Sequence, residues 1–94
     1  MKERKEYIDK MADQLKSWDN ELSRYQEKAN KLSGDAKNQY QESITNLKER
    51  KDRLQEKLDN LRQSSDNAWK ELKAGFEKSW SDLRESFSKA RNKL

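Results

Sequence analysis

"LSGDAK", residues 32–37, decides whether this chain is one long helix or several. Glycine readily takes the left-handed backbone that ends a helix, and aspartate is a good N-cap, so Gly34-Asp35 reads as one helix closing and another opening. The competing reading keeps a continuous helix that tolerates Gly34 at a cost of about 1 kcal/mol. It leaves one helix of about 60 residues folding back on a shorter C-terminal helix, with an overhang that a partner chain has to cover.

Upstream of this stretch the apolar residues fall at Ile8, Met11, Leu15, Trp18, Leu22, Tyr25, Ala29 and Leu32, alternating steps of three and four. That is a heptad seam. Acids stand four residues before bases at Glu6/Lys10 and Glu27/Lys31, pairs that each add about 0.2–0.5 kcal/mol to a helix. Downstream the seam resumes in a shifted register at Ala36, Tyr40, Ile44, Leu47, Leu54, Leu58 and Leu61. Lys51 stands where an apolar residue is due, and its stem is expected to cover the seam while its ammonium reaches water.

A second turn is expected at "RQSSDNAW", residues 62–69, where Ser64, Ser65 and Asp66 can all cap a helix starting near Asn67. The last stretch carries Ala68, Trp69, Leu72, Phe76, Trp80, Leu83, Phe87, Ala90 and Leu94. This spacing mixes an eleven-residue period into the heptad and places a third register slip between Phe76 and Trp80. The expected architecture is all-α: a single domain over residues 1–94, with helices at about 3–33, 35–63 and 66–94 in an antiparallel three-helix, coiled-coil-like bundle.

Composition supports a thin-cored helical protein. Of 94 residues, 43% are charged and 30% hydrophobic, with no proline and two glycines. That apolar fraction suits helices with one narrow seam each. Cysteine and histidine are both absent, so thiolate and imidazole chemistry and the usual zinc sites lack their key residues. The carboxylates stand beside Lys or Arg with no apolar surround to raise a pKa, and Gly34 and Gly75 are isolated, so no phosphate loop is expected. The expectation is a non-enzymatic protein without cofactor or metal. The charged start "MKERKEYIDK" and the lack of any long apolar run point to no signal peptide or membrane span, hence to a cytoplasmic protein.

Two readings compete for the aromatic residues. Trp18, Trp69 and Trp80 lie on the seams and are expected to fill the space between helices, each indole N–H finding an acceptor. Alternatively Trp69, Phe76, Trp80, Leu83 and Phe87, with Arg84, Lys89, Arg91 and Lys93 nearby, form a face for an anionic lipid surface or a groove in another protein. Acids at Glu71, Glu77 and Asp82 weaken the lipid reading. Nucleic acid is a third reading, since the formal net charge is +4. By segment, however, the net is +1 over 1–34, +1 over 35–65 and +2 over 66–94, and "KERKDR", residues 48–53, mixes Glu49 and Asp52 into its bases. Charge is not concentrated along the chain.

The segments "EYIDKMADQLKSWDNEL" (6–22), "DAKNQYQESITNLKERKDRLQEKLDNL" (35–61) and "SSDNAWKELKAGFEKSWSDLRESFSKA" (64–90) resemble a family of small bacterial coiled-coil proteins, one branch of which is stress-induced in cyanobacteria. The most specific part of the likeness is Ala68-Trp69, Gly75, Trp80, Leu83 and Phe87. The resemblance implies a bacterial, soluble, helical protein linked to stress, and it brings no catalytic residues. The functional expectation is action through self-association or binding to another protein, with at least a tendency to dimerise.

Overall fold

Three helices of nearly equal length account for the chain in a computed structural model, which describes residues 2–93. They are α1 (Lys2–Asn30), α2 (Gly34–Gln63) and α3 (Asp66–Lys93). Leu94, expected on the last seam, lies outside the described residues. Arg4 reaches the carbonyl of Leu61 at 3.0 Å, which places the start of α1 against the end of α2 and excludes a continuous helix through Gly34.

The first turn forms differently from the expectation. α1 stops at Asn30, short of residue 33, because its final N–H groups fold back by three residues: Lys31 donates to Lys28 and Leu32 to Ala29, each at 3.1 Å. Gly34 does adopt a positive φ of 66°, but at the entry to α2 rather than as the terminator of α1. Ser33, in extended conformation, holds the N-cap position without a side-chain cap bond. Asp35 sits in the first turn instead, where its charge favours the helix N-terminus. Ala36, assigned to the seam, is exposed.

The second turn needs two residues. The Ser64 N–H and hydroxyl both donate to the carbonyl of Leu61, at 3.2 and 2.7 Å. Ser65 then caps α3, its hydroxyl accepting from the Ala68 N–H at 3.2 Å and its carbonyl from Trp69 at 2.9 Å.

Every helix keeps one unbroken heptad. On α2 the buried residues are Ile44, Leu47, Lys51, Leu54, Leu58 and Leu61. On α3 the seam runs through Trp69, Lys73, Phe76, Trp80, Leu83, Phe87 and Ala90, so the expected slip between Phe76 and Trp80 does not exist. Leu72, which hydropathy places on that seam, is 41% exposed, the only large hydrophobic so exposed among the described residues. Lys73 holds the position, half-buried, with its ammonium 4.7 Å from the centre of the Tyr7 ring. A lysine stem with an aromatic partner fills a seam position that hydropathy alone assigns to its neighbour.

The bundle is a rod of 51 × 19 × 18 Å. Helix α2 packs antiparallel to both neighbours, with Cα atoms within 8 Å, whereas among the described residues no Cα of α1 comes that close to one of α3. Leucines fill the two narrow seams and rings fill the wide one.

Two substitutions separate the glycines. Gly34→Ala is expected to lower stability by about 1–2 kcal/mol, the cost of a side chain in left-handed backbone. An added Cβ at Gly75 meets nothing within 4 Å, so Gly75→Ala is expected to raise stability by about 0.5–1 kcal/mol. Urea unfolding of both variants tests the pair; a destabilised Gly75→Ala contradicts the assignment of α3.

Candidate functional site

The face singled out on α3 points into the bundle. Phe76, Leu83 and Phe87 are 1%, 2% and 0% exposed, and Trp69 and Trp80 are half-buried against the same core. Of the accompanying bases, all four are exposed: Lys89 pairs with Glu85 at 3.5 Å, Arg91 pairs with Glu21 of α1 at 2.9 Å, and Arg84 and Lys93 face outward. The sequence motif is thus divided, its rings turned inward and its cations outward.

Those rings meet partners from α1 in a continuous row. Tyr7 stands edge-on to Trp69 at 5.8 Å and to Phe76 at 6.3 Å between centroids. Phe76 lies 5.7 Å from Trp80. Trp18 then packs against Trp80 at 4.5 Å and stacks on Phe87 at 4.9 Å, with planes 11° apart. Aromatic pairs contribute about 0.5–1.5 kcal/mol each beyond the area they bury, a substantial addition for a core of single leucines. Among the described residues no indole N–H is both buried and without a partner; Glu21 Oε2 is the buried side-chain polar atom without one.

Each helix also places a cation on its seam. Lys51 is 9% exposed, and its ammonium does not reach for bulk water as expected but bonds Asp19 at 2.5 Å and Asp52 at 2.9 Å. Burial pulls the pKa of that ammonium down; the bonds and charges of Asp19 and Asp52 outweigh it, and the net direction is up.

Arg4 was not singled out in the sequence, yet it makes the most contacts of any side chain at that end. Its Nη2 donates to the carbonyl of Leu61 at 3.0 Å, to the Ser64 hydroxyl at 2.8 Å and to the Ser64 carbonyl. Its Nη1 pairs with Asp66 at 3.3 Å, and the guanidinium lies 4.5 Å over the Trp69 ring. It therefore caps the carbonyl end of α2, where the helix dipole favours a cation, and fastens the α2–α3 turn to α1. One signal could have found it: stepping back four residues from Ile8 reaches Arg4.

Tyr7 donates its hydroxyl to Glu77 at 3.1 Å. Its burial, then that bond and the Glu77 charge, raise its pKa. Burial and the charge of Glu21 likewise raise that of Tyr25. These arrangements hold helices together and present no nucleophile beside a base. Among the described residues no three Asp, Glu, Cys or His side chains group to hold a metal, and no helix is long and apolar enough to cross a membrane. Comparisons with protein-family models, curated proteins and solved structures find no match to this chain.

Two expectations follow from the polar contacts. Arg4→Ala is expected to cost about 2–3 kcal/mol, because it leaves helix-end carbonyls without a charged donor; Arg4→Lys recovers less than half of this, since an ammonium cannot fork across the same acceptors. Thermal melts of the two variants check the order, and equal stabilities contradict the capping role. The pH dependence has a definite sign. Lys51, Tyr7 and Tyr25 all hold their protons more tightly when folded, so their contribution is complete below the unfolded values of about 10 and is lost as pH rises through the folded ones. Stability should therefore fall above about pH 10, and Tyr7→Phe should make that fall shallower in denaturant titrations.

Proposed function

We propose that this protein is a non-enzymatic docking module, a self-contained helical bundle that binds another macromolecule through its polar exterior. One observation carries the reading: the three helices cover one another's apolar seams, and Leu72 alone among the large hydrophobics of the described residues is exposed. Self-association through a shared core, the other form of the interaction reading, needs apolar surface left over for a second chain. Here the rings of Trp18, Trp80 and Phe87 consume it.

Binding to a lipid surface requires α3 to leave the bundle and expose Phe76, Leu83 and Phe87. Each such side chain costs about 1.5–3 kcal/mol to return to water, and a membrane has to repay all of them. The docking reading needs no such opening. Membership of the small bacterial coiled-coil family and a role in stress form part of the same proposal and rest on the sequence resemblance, and residence in the cytoplasm joins them on the charged start and the lack of a long apolar run.

Sedimentation equilibrium over a wide concentration range is expected to return a single 11.3 kDa species, and tryptophan emission is expected to stay unchanged when anionic vesicles are added. A concentration-dependent dimer rejects the docking reading in favour of self-association. A blue shift on vesicles that Trp80→Ala abolishes does so in favour of the lipid surface.

A further inference from the structure

The groove between α2 and α3 concentrates charge that the sequence spreads out. In an antiparallel helix pair the positions flanking the seam face each other, and they ordinarily carry opposite charges. The other two edges of the bundle follow a matched pattern: Gln26 meets Gln41 at 2.8 Å across α1/α2, and Glu21 meets Arg91 across α1/α3. Along α2/α3 the flanking positions of α2 are Ser43, Arg50 and Lys57, and those of α3 are Lys93, Ser86 and Ser79. Each cation is set against a serine. Arg50 donates to the Ser86 hydroxyl, Lys57 to the Ser79 hydroxyl at 2.6 Å, and Lys93 and Ser43 line the same cleft.

Arg53 and Lys89 line the groove beside them, and Asp82 is the one acid that does. Five bases against one acid give +4, equal to the formal net charge of the whole chain, although one of the five, Lys89, is also paired with Glu85 on the outer side of its own helix. Three of these bases come from α2 and two from α3, 32 residues or more apart in sequence, which is why counting by segment shows no excess.

The geometry points to this groove as a docking surface for an acidic α-helix of another protein, one carrying Glu or Asp at seven-residue intervals. This deepens, and rests on, the reading of the protein as a docking module. Four features select that occupant. Arg50 and Lys57 are one heptad apart, about 10 Å along the helix axis, the interval at which a helix repeats its own flanking residues. The two clefts that Arg50 lines enclose about 170 and 220 Å³, below the range of about 300–1,000 Å³ usual for small-molecule sites; a wider, open one of about 680 Å³ adjoins them only at the Ser43–Lys93 end. At heptad spacing on the outer faces of the two helices stand exposed Glu42, Glu49 and Glu56 on α2, and Glu71 and Glu85 with Lys78 between them on α3. A broad polyanion that reaches past the groove meets those carboxylates. No aromatic side chain lines the two clefts at Arg50, so bases of single-stranded nucleic acid find nothing to stack on there.

The test titrates the folded, full-length protein with a helical peptide of three heptads bearing glutamate at both flanking positions of each repeat. Backbone amide shifts and fluorescence anisotropy are followed. A peptide of the same composition with its glutamates off heptad spacing, and single- and double-stranded DNA, serve as comparisons. Expected are saturable binding of the heptad peptide that weakens with salt, shifts confined to the α2/α3 edge, and a loss of about tenfold in affinity for Arg50→Gln combined with Lys57→Gln. Lys10→Gln with Lys16→Gln on the outer face of α1 should leave binding unchanged. Equal binding of the two peptides, tighter binding of either DNA, or no binding by a protein that sediments as a monomer overturns the groove assignment and leaves the docking reading standing. A dimer in sedimentation removes that reading and this assignment with it.

Discussion

Trp18 lying flat on Phe87 and against Trp80 is the contact on which the rest of this fold depends. A helix with one narrow seam can bury it against a single neighbour, as leucine zippers do, and three such helices have no intrinsic reason to form a closed triangle. Here α2 meets both other helices with leucines, whereas α1 and α3 stand further apart, with no Cα pair within 8 Å among the described residues. The ring row from Trp69 to Phe87 fills that wider space. Closing the third side turns a hairpin with a loose end into a bundle whose three helices cover one another's apolar seams, and it leaves the surface largely to hydrophilic groups.

How much of this was legible in the sequence varied with the kind of residue. The α1 seam could be read directly because every step from Ile8 to Ala29 lands on an apolar side chain. The turns could be placed because Gly34 and the Ser64-Ser65-Asp66 run have few other uses, although their roles were exchanged: Gly34 opens α2 rather than closing α1, and Ser33 stands where a side-chain cap was expected from Asp35. On α3 hydropathy misled, since Leu72 attracts assignment to the core and Lys73 does not. The backbone follows the heptad set by Trp69, Phe76, Leu83 and Ala90, and that periodicity admits Lys73 because its ammonium sits over the Tyr7 ring.

Polar residues were the least legible because their meaning depends on which helix lies opposite. Arg4 resembles any other charge in "MKERKEY" until Leu61, Ser64 and Asp66 are brought beside it. Arg50 and Lys57 look like members of a mixed-charge helix until Ser86 and Ser79 are found where acids could have stood. The candidate face of α3 divides for a related reason: proximity in sequence groups Phe87 with Lys89 and Arg91, while the bundle places the ring in its interior and the bases at two different edges.

The position of Arg4 has a consequence for the order of assembly. Its acceptors lie 57 and 60 residues further along the chain, so during synthesis the first helix emerges long before the groups that anchor its beginning exist. The α1–α2 hairpin can zip from its own turn with short loop closures, working back toward the N-terminus, whereas the aromatic row and the arginine clasp must wait for α3. Translation therefore delivers α1 and α2 before α3, and α3, once it emerges, both shields Trp18 and brings Asp66 and Trp69 to the waiting guanidinium.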